Sequence, residues 1–340
     1  MRVATYNVEW FDRLFDDEGA LCPDTRWSGR RDVKRFEQIK ALGQVFAVLD
    51  ADAIMVIEAP DTSRRRSGTQ ALERFAQYAE LRANTALIGF GNDTQQEIAL
   101  LYDPDALTVS HDPKGTLSGP PQDAFGIRFD GQYEIDLDID AKADQIKFSK
   151  PPLEVKATTA KGFEFQMLGV HAKSKAPHGA KTEREAMKLS IANRRKQLAQ
   201  CIWIRERVQA HMDAATPLMV LGDFNDGPGL DEFEQLFGRS GVEIVLGEGP
   251  DALFDPHVQM ALTQRFGARP TTSRFFLRDE RRYLQALLDY IMVTPELAAK
   301  KGRWHIWHPF EDPDCFSDES LQKALLTASD HFPVTLDIDI

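Results

Sequence analysis

The residues able to do chemistry recur at one kind of place. Asn7, Glu58 and His171 each close a short apolar run (3–6, 53–57 and 163–170), and Asp223 and Asn225 follow another at 218–221. Asp289 lies inside 287–293, and Asp330 and His331 directly precede 334–340. Carboxylate oxygens suit a hard cation such as Mg²⁺, which keeps several of its waters, so one or two protein carboxylates suffice. Such a cation polarises a phosphoryl oxygen and lowers the pKa of bound water. A histidine held by a carboxylate is fixed in tautomer and becomes a better base. Taken singly, a strand-end Asp is usually a turn residue and a lone His a hydrogen-bonded edge residue. Independent turns would not supply three Asp, one Glu, two His and two Asn to equivalent positions.

These residues need strands to carry them. Apolar runs of strand length, rich in β-branched and aromatic residues, lie at 3–8, 53–57, 98–102, 163–170, 218–221, 288–293 and 334–340. The last alternates, with Val334, Leu336, Ile338 and Ile340 on one face. Helical spacing appears at 33–49, through Phe36, Ile39, Leu42, Phe46 and Leu49. A long helix is expected over 182–211, opened by Thr182 and Glu185 as a capping box, with Met187, Ile191, Leu198 and Ile202 as its apolar stripe. Strands and helices mixed without a regular repeat imply an α/β layered fold over one core. Functional groups in such folds gather where strands end. A strand running the opposite way brings its start to that same end, so all eight residues can meet on one rim. Two stretches rich in Gly, Pro and Asp, near 111–147 and 227–270, read as insertions, and the whole chain 1–340 as a single domain.

With 42% hydrophobic and 28% charged residues, the 340-residue chain is globular in composition and can bury a sizeable core. No apolar stretch approaches the ~18 residues of a membrane span, and the first residues lack the pattern of a signal peptide. Cys22, Cys201 and Cys315 are too few and scattered for a disulfide framework or zinc cluster, so a reducing cytoplasm is the expected compartment. The 41 basic against 53 acidic residues leave a net charge of −12, which argues against tight stoichiometric binding of long nucleic acid. It leaves room for a metalloenzyme acting on phosphates, where the cation dominates the local charge.

The segments Thr5-Tyr6-Asn7-Val8, Val56-Ile57-Glu58, Gly169-Val170-His171, Leu221-Gly222-Asp223-Phe224-Asn225, Leu288-Asp289-Tyr290 and Ser329-Asp330-His331-Phe332-Pro333 resemble the endonuclease/exonuclease/phosphatase superfamily. They come in that family's order and span nearly the whole chain. The resemblance implies an α/β four-layer sandwich of two packed mixed β-sheets flanked by helices, as in deoxyribonuclease I, and one or two Mg²⁺ or Mn²⁺ ions. It makes Glu58 and Asp330 the main metal ligands with Asn7 beside them. Asp223 would orient or deprotonate the attacking water, helped by Asn225. His331, polarised by Asp289, would contact the scissile phosphate, and His171 would stand on the leaving-group side, with Glu97 placed to orient it. Ile57 departs from the Gln that often precedes the metal Glu, and the segment 12–31 is longer than in compact members. Arg26, Arg30 and Arg31 in that segment would border the substrate.

His171-Ala172-Lys173-Ser174-Lys175 resembles a motif of nuclease-like members, so Lys173 and Lys175 are read as phosphate contacts. Lys150, in Lys150-Pro151-Pro152-Leu153, resembles the family's basic strand entry and is read likewise. The other basic residues of the long helix, Lys181, Arg184, Lys188, Arg194, Arg195 and Lys196, are read mostly as a solvated face. Arg64-Arg65-Arg66 is read as exposed loop before phosphate clamp. Asp136, Asp138 and Asp140 are read as the charged face of an edge strand. The segment Asp223–Gly227 is not an EF-hand, because its Gly falls at the fifth and not the sixth position. Together these readings imply a metal-dependent phosphodiesterase, a nuclease acting on DNA ahead of RNA, with no obligate protein partner. The competing reading within the fold is a phosphatase or phospholipase-type esterase; outside it, a non-catalytic binding domain.

Overall fold

The structure is a computed structural model and describes residues 1–118, 123–136, 144–177, 179–229, 238–264, 267–277 and 280–340. Strands alternate apolar side chains between two faces, and here both faces are covered. Six strands form one mixed sheet in the order β14 (Arg303–Ile306), β15 (Val334–Asp337), β1 (Arg2–Asn7), β2 (Ala53–Ala59), β4 (Glu97–Tyr102), β3 (Thr85–Ile88). Five form the second: β13 (Asp289–Val293), β10 (Leu218–Asp223), β9 (Glu164–His171), β8 (Leu153–Thr159), β5 (Leu107–His111). The period-two alternation of β2 sends Ala53, Met55 and Ile57 between the sheets, where they meet Leu153, Met167, Met219 and Ile291. Its intervening residues, Ile54 and Val56, pack outward against α1 (Arg35–Leu49) and α2 (Gly68–Tyr78). On the far side, Val220 of β10 and Met292 of β13 pack under α3 (Glu183–Asp213), α4 (Gly241–Leu246) and α5 (Pro256–Thr263). The result is helix, sheet, sheet, helix: the expected four-layer sandwich. The sheets meet closely, since a Cβ on Gly169 would lie 2.5 Å from Met55 Sδ across the interface.

Register places the site. In the second sheet β10 runs parallel to β9 and antiparallel to β13, so Asp223 has His171 on one side and Asp289 on the other. In the first sheet, β1 and β2 run parallel with Asn7 beside Ile57, while β15 runs back along β1 with Val334 beside Thr5. The start of β15 is thereby carried to the ends of β1 and β2, as the sequence implied. Gly222 precedes Asp223 with φ of +136°, and a Cβ there would come within 2.0 Å of the Val170 carbonyl oxygen. Only glycine lets β10 approach β9 at that point.

The sequence placed the strands well but not every edge. The final strand ends at Asp337, short of the alternation through Ile340. Helix α3 is capped by Thr182, whose hydroxyl accepts from the Glu185 N–H at 3.2 Å, while the Glu185 carboxylate takes the N–H of Lys181. Its buried face matches the expected stripe only in part: Leu198 is buried, Ile191 and Ile202 are half-buried and Met187 is exposed, while the other core-facing residues include Arg194, Gln197, Cys201, Trp203, Arg207 and His211. The polar ones were unreadable as core by hydropathy, since Arg194, Gln197 and Arg207 find their partners only in tertiary structure. The expected insertion 111–147 contributes the small hairpin of β6 (Tyr133–Ile135) and β7 (Asp144–Ile146); Asp138 and Asp140 lie outside the described residues. The other, 227–270, contributes α4 and α5. A hairpin of β11 (Ser273–Leu277) and β12 (Arg282–Ala286) projects beside the strand-end rim. No helix among the described residues is long and apolar enough to cross a membrane.

Candidate active site

Asn7, Glu58, His171, Asp223, Asn225, Asp330 and His331 line one cavity of about 900 Å³ at the strand-end rim, together with Lys150, Lys173, Lys175 and Lys196. The backbone is contorted there. Glu9, Trp10, Glu58 and Asn225 all have positive φ (29°, 60°, 61° and 50°), and a bulge interrupts the β2–β4 ladder between Ile57 and Ala59. Bulges re-aim side chains, and strain of this kind persists where surrounding structure over-determines it. The bulge turns Glu58 toward the cavity, where its Oε2 accepts the Trp10 N–H at 3.0 Å.

Asp223 is the hub. Its Oδ2 accepts from Asn7 Nδ2 at 2.9 Å and Asn225 Nδ2 at 3.2 Å, and its Oδ1 from the Asn225 N–H at 2.7 Å. His171 Nε2 stands 3.7 Å and His331 Nε2 3.9 Å from Oδ2. Burial pushes the Asp223 carboxyl up to about 6, with Asp289 adding and His331 and the hydrogen bonds opposing. That places a carboxylate base close to neutrality. His331 Nδ1 lies 2.7 Å from Asp289 Oδ2. Burial alone would lower the His331 imidazole, but Asp289 and Asp223, with Asp330 behind them, carry it well above its ordinary value. Asp289 is itself held by a 2.9 Å bond from its N–H to Thr272 Oγ1. His171 is different: burial first, then Lys150 and His331, push it well below its ordinary value, so it is a neutral imidazole.

Asp223, Asp289 and His331 are grouped closely enough to hold a metal ion. The hydrogen bond at Nδ1 already engages that nitrogen with Asp289. A second acidic group stands at the first sheet. Asp330 N–H donates to Glu9 Oε2 at 3.3 Å, Arg30 pairs with the same Glu9 oxygen, and Arg30 Nη1 lies 4.0 Å from Asp330 Oδ1. Burial pushes the Asp330 carboxyl up to about 8, with Glu9 adding to the rise and His331 and Arg30 opposing it. His331 Nε2 also lies 4.0 Å from Asp330 Oδ1, and Glu9, Glu58 and Asp330 together form a donor set of hard oxygens of the kind a divalent ion takes.

Glu97 is buried, but its carboxylate takes Asn92 Nδ2 at 2.6 Å and the Asn92 N–H at 3.2 Å, with a further backbone bond from Thr62. It makes no hydrogen bond to His171; Lys150 is the charged group on that ring, with Nζ at 3.2 Å from both nitrogens. Lys175 donates to Asp226 at 2.6 Å. Arg194, read from sequence as solvated, is fully buried and binds the other oxygen of Asp226 at 2.6 Å. Gln197 joins the two loops: its Nε2 donates to the carbonyls of Lys173, Phe224 and Asn225 at 2.9, 3.2 and 3.0 Å. Arg66 is an internal strut to Asp61 and the Asp12 carbonyl, whereas Arg65 is exposed. Sequence reading also missed Glu9, Trp10 and Lys196, and the apolar wall of Phe275, Leu277 and Leu284 from β11 and β12. Glu9 had a signal, lying two residues past Asn7; the wall and Gln197 had none.

The layers and the rim of carboxylates, imidazoles and amides define a class of phosphoester hydrolases. The chain belongs to the Endonuclease/Exonuclease/phosphatase family, which it matches over residues 4–331. Among solved structures it is similar to truncated TDP2 from Caenorhabditis elegans, at 13% identity and a TM-score of 0.52, over all of this chain and 97% of that one. It is also similar to a mannosyl-6-phosphatase from Bacteroides thetaiotaomicron (15% identity, TM-score 0.50, all of both chains). A third, an endonuclease/exonuclease/phosphatase family protein from the same organism, is 14% identical with a TM-score of 0.50, over all of this chain and 95% of that one. Identities this low show a shared fold. No curated protein matches the sequence.

Proposed function

We propose that this chain, folded as a single domain, is a divalent-metal-dependent phosphodiesterase that hydrolyses nucleic-acid phosphodiester bonds by in-line attack of water. The observation that carries the proposal is the convergence, in one cavity, of a near-neutral carboxylate (Asp223), a carboxylate-held imidazolium (His331 on Asp289) and a separate wall of hard oxygen donors. Glu58 and Asp330, with Asn7 beside them, would hold Mg²⁺ or Mn²⁺. When bound, the ion would polarise the phosphoryl oxygen and neutralise charge developing on it. Asp223 accepts the proton of the attacking water, and Asn225 and Asn7 fix the orientation of its carboxylate. His331, charged and locked by Asp289, donates to a non-bridging phosphoryl oxygen, where charge grows in the transition state.

The polynucleotide substrate is supported by the ammonium groups of Lys150, Lys173 and Lys196, which line the same cavity. Lys173 makes the phosphate contact; Lys175, tied to Asp226, acts through the loop it braces. The test is hydrolysis of single- and double-stranded DNA, RNA, phosphomonoesters and sphingomyelin, with Mg²⁺ and with a chelator. Metal-dependent cleavage of polynucleotide is expected. Phosphate release from monoesters with no polynucleotide cleaved would replace this reading by the phosphatase one.

A further inference from the structure

Trp10 lines the cavity beside the acidic groups, and its N–H donates to Glu58 Oε2 at 3.0 Å. Its φ of 60° and ψ of 41° are left-handed, a conformation that suits glycine and is strained for a bulky side chain. A turn that had only to deliver an N–H to Glu58 would be better served by glycine. The structure also makes room for this indole. A Cβ on Gly29 would lie 2.3 Å from Trp10 Cβ and 2.6 Å from its Cγ, so a side chain at 29 would displace it. The next residue, Arg30, pairs with Glu9, so residues 29 and 30 hold the turn of 9 and 10 together.

Core packing does not account for the indole. Phe11 and Leu14, in the one-turn helix that follows, are fully buried, and the Phe11 ring meets that of Phe75 at 5.0 Å. Trp10 stays out of that cluster and keeps 37% of its surface exposed. Resting on the functional reading above, we propose that Trp10 is a substrate-binding residue that stacks on a nucleobase next to the scissile phosphate. A phosphate drawn to Glu58 and Asp330 brings its own nucleoside to the turn that carries the indole.

Three features agree with this assignment. The net charge of −12 gives little general attraction for a polynucleotide, so affinity must come from local contacts of another kind. The exposed Arg13 has its guanidinium carbon 4.9 Å from the centroid of the indole, which adds a positive charge at the same turn. Aromatic rings with arginine beside them hold nucleic-acid strands with little regard to sequence, because every base has a π-face. The cavity has further apolar surface next to a phosphate-binding group: the Phe275 ring lies 5.4 Å from that of His331. Phosphate and sugar alone would make no use of such surface.

Removal of the bases tests the assignment. Wild type, Trp10→Gly and Trp10→Phe are compared with Mg²⁺ on two single-stranded DNA oligomers of equal length, one with its bases and one built of abasic residues. Sugar, phosphate and leaving group are common to both, so the ratio of the two kcat/KM values isolates what the bases contribute. Wild type should favour the base-bearing oligomer by roughly 5–150-fold, chiefly through KM. Glycine takes the left-handed turn without strain and keeps the N–H to Glu58, so Trp10→Gly should bring the ratio to within about threefold of one. Trp10→Phe keeps a ring and should fall between. Binding of the base-bearing oligomer with a chelator present should also quench indole emission more in wild type than in Trp10→Phe. A wild-type ratio near one, a ratio unchanged in Trp10→Gly, equal ratios in the two variants, or equal quenching would overturn this assignment alone. A wild-type protein that cleaves neither oligomer would overturn the functional reading, and this one with it.

Discussion

Gln197→Leu keeps side-chain volume and removes one amide on which two active-site loops depend. The amide N–H groups serve three carbonyls, those of Lys173, Phe224 and Asn225, and its Oε1 accepts from Arg194 Nη1 at 2.9 Å. Two N–H groups cannot fully serve three acceptors, so the loss is about two hydrogen bonds from the loops and one from the buried Arg194. At ~1–3 kcal/mol for each buried group left without a partner, and allowing for entry of water, the expected cost is about 3–5 kcal/mol. Unfolding entropy of ~2.1 cal/mol/K per residue over 340 residues is roughly 0.7 kcal/mol/K, which turns that cost into a fall in Tm of about 4–7 °C. Calorimetry reads the Tm, and amide hydrogen exchange reads the place: protection should fall at 171–176 and 223–227 together and hold in β1 and β2. Turnover, measured well below the new Tm, should fall because Asp223 and Asn225 are no longer fixed. An unchanged Tm with unchanged exchange in both loops would refute the reasoning.

Two further outcomes follow from the same geometry. Asp289→Asn and His331→Ala should each cut turnover, by roughly 10²–10⁴-fold for the histidine, and the double variant should lose little beyond His331→Ala, since groups acting as a unit are not additive; fully additive losses in steady-state kinetics would contradict the dyad. His211 is buried against Phe125, and burial first, then Arg207 and Lys114, lowers its imidazole from 6.5 to about 4. Its folded value is below the unfolded one, so its share of stability is complete above pH 6.5 and is lost as pH falls toward 4, up to ~3 kcal/mol in all. His211→Phe should therefore flatten the stability–pH curve between those values in denaturant titrations, and an unchanged slope would contradict it.

What the sequence showed, and what it hid, divides along the reach of the interactions. Asn7, Glu58, Asp223 and Asp330 were legible because each ends or begins an apolar run, and strand direction alone carries such residues to one rim. The β10 register, with Asp223 between His171 and Asp289, needed only the pairing of runs already visible. Gln197 and Arg194 were not legible, because a polar residue on a helix reads as solvated until its buried partners are known. Glu97 sits at the expected strand start, but the loop bearing Asn92 takes its carboxylate, and no local pattern announces that choice. The contact of Lys150 with His171 joins residues 21 apart through the pairing of β8 with β9, which spacing does not reveal. The positive φ of Glu58 is likewise set by the bulge against β4 and not by its neighbours in sequence.

The central claim is that this cavity hydrolyses phosphodiesters with Asp223 as base and Glu58 and Asp330 as cation ligands. The most direct measurement is Mg²⁺-dependent turnover of a DNA oligonucleotide by wild type, Asp223→Asn and Glu58→Gln, with Mg²⁺ affinity measured separately by calorimetry. The account predicts metal-dependent cleavage by wild type. Asp223→Asn should lose roughly 10²–10⁴-fold in turnover with Mg²⁺ affinity nearly intact, and Glu58→Gln should lose Mg²⁺ affinity as well. Wild-type activity in Asp223→Asn, or Mg²⁺ affinity unchanged in Glu58→Gln, would contradict it.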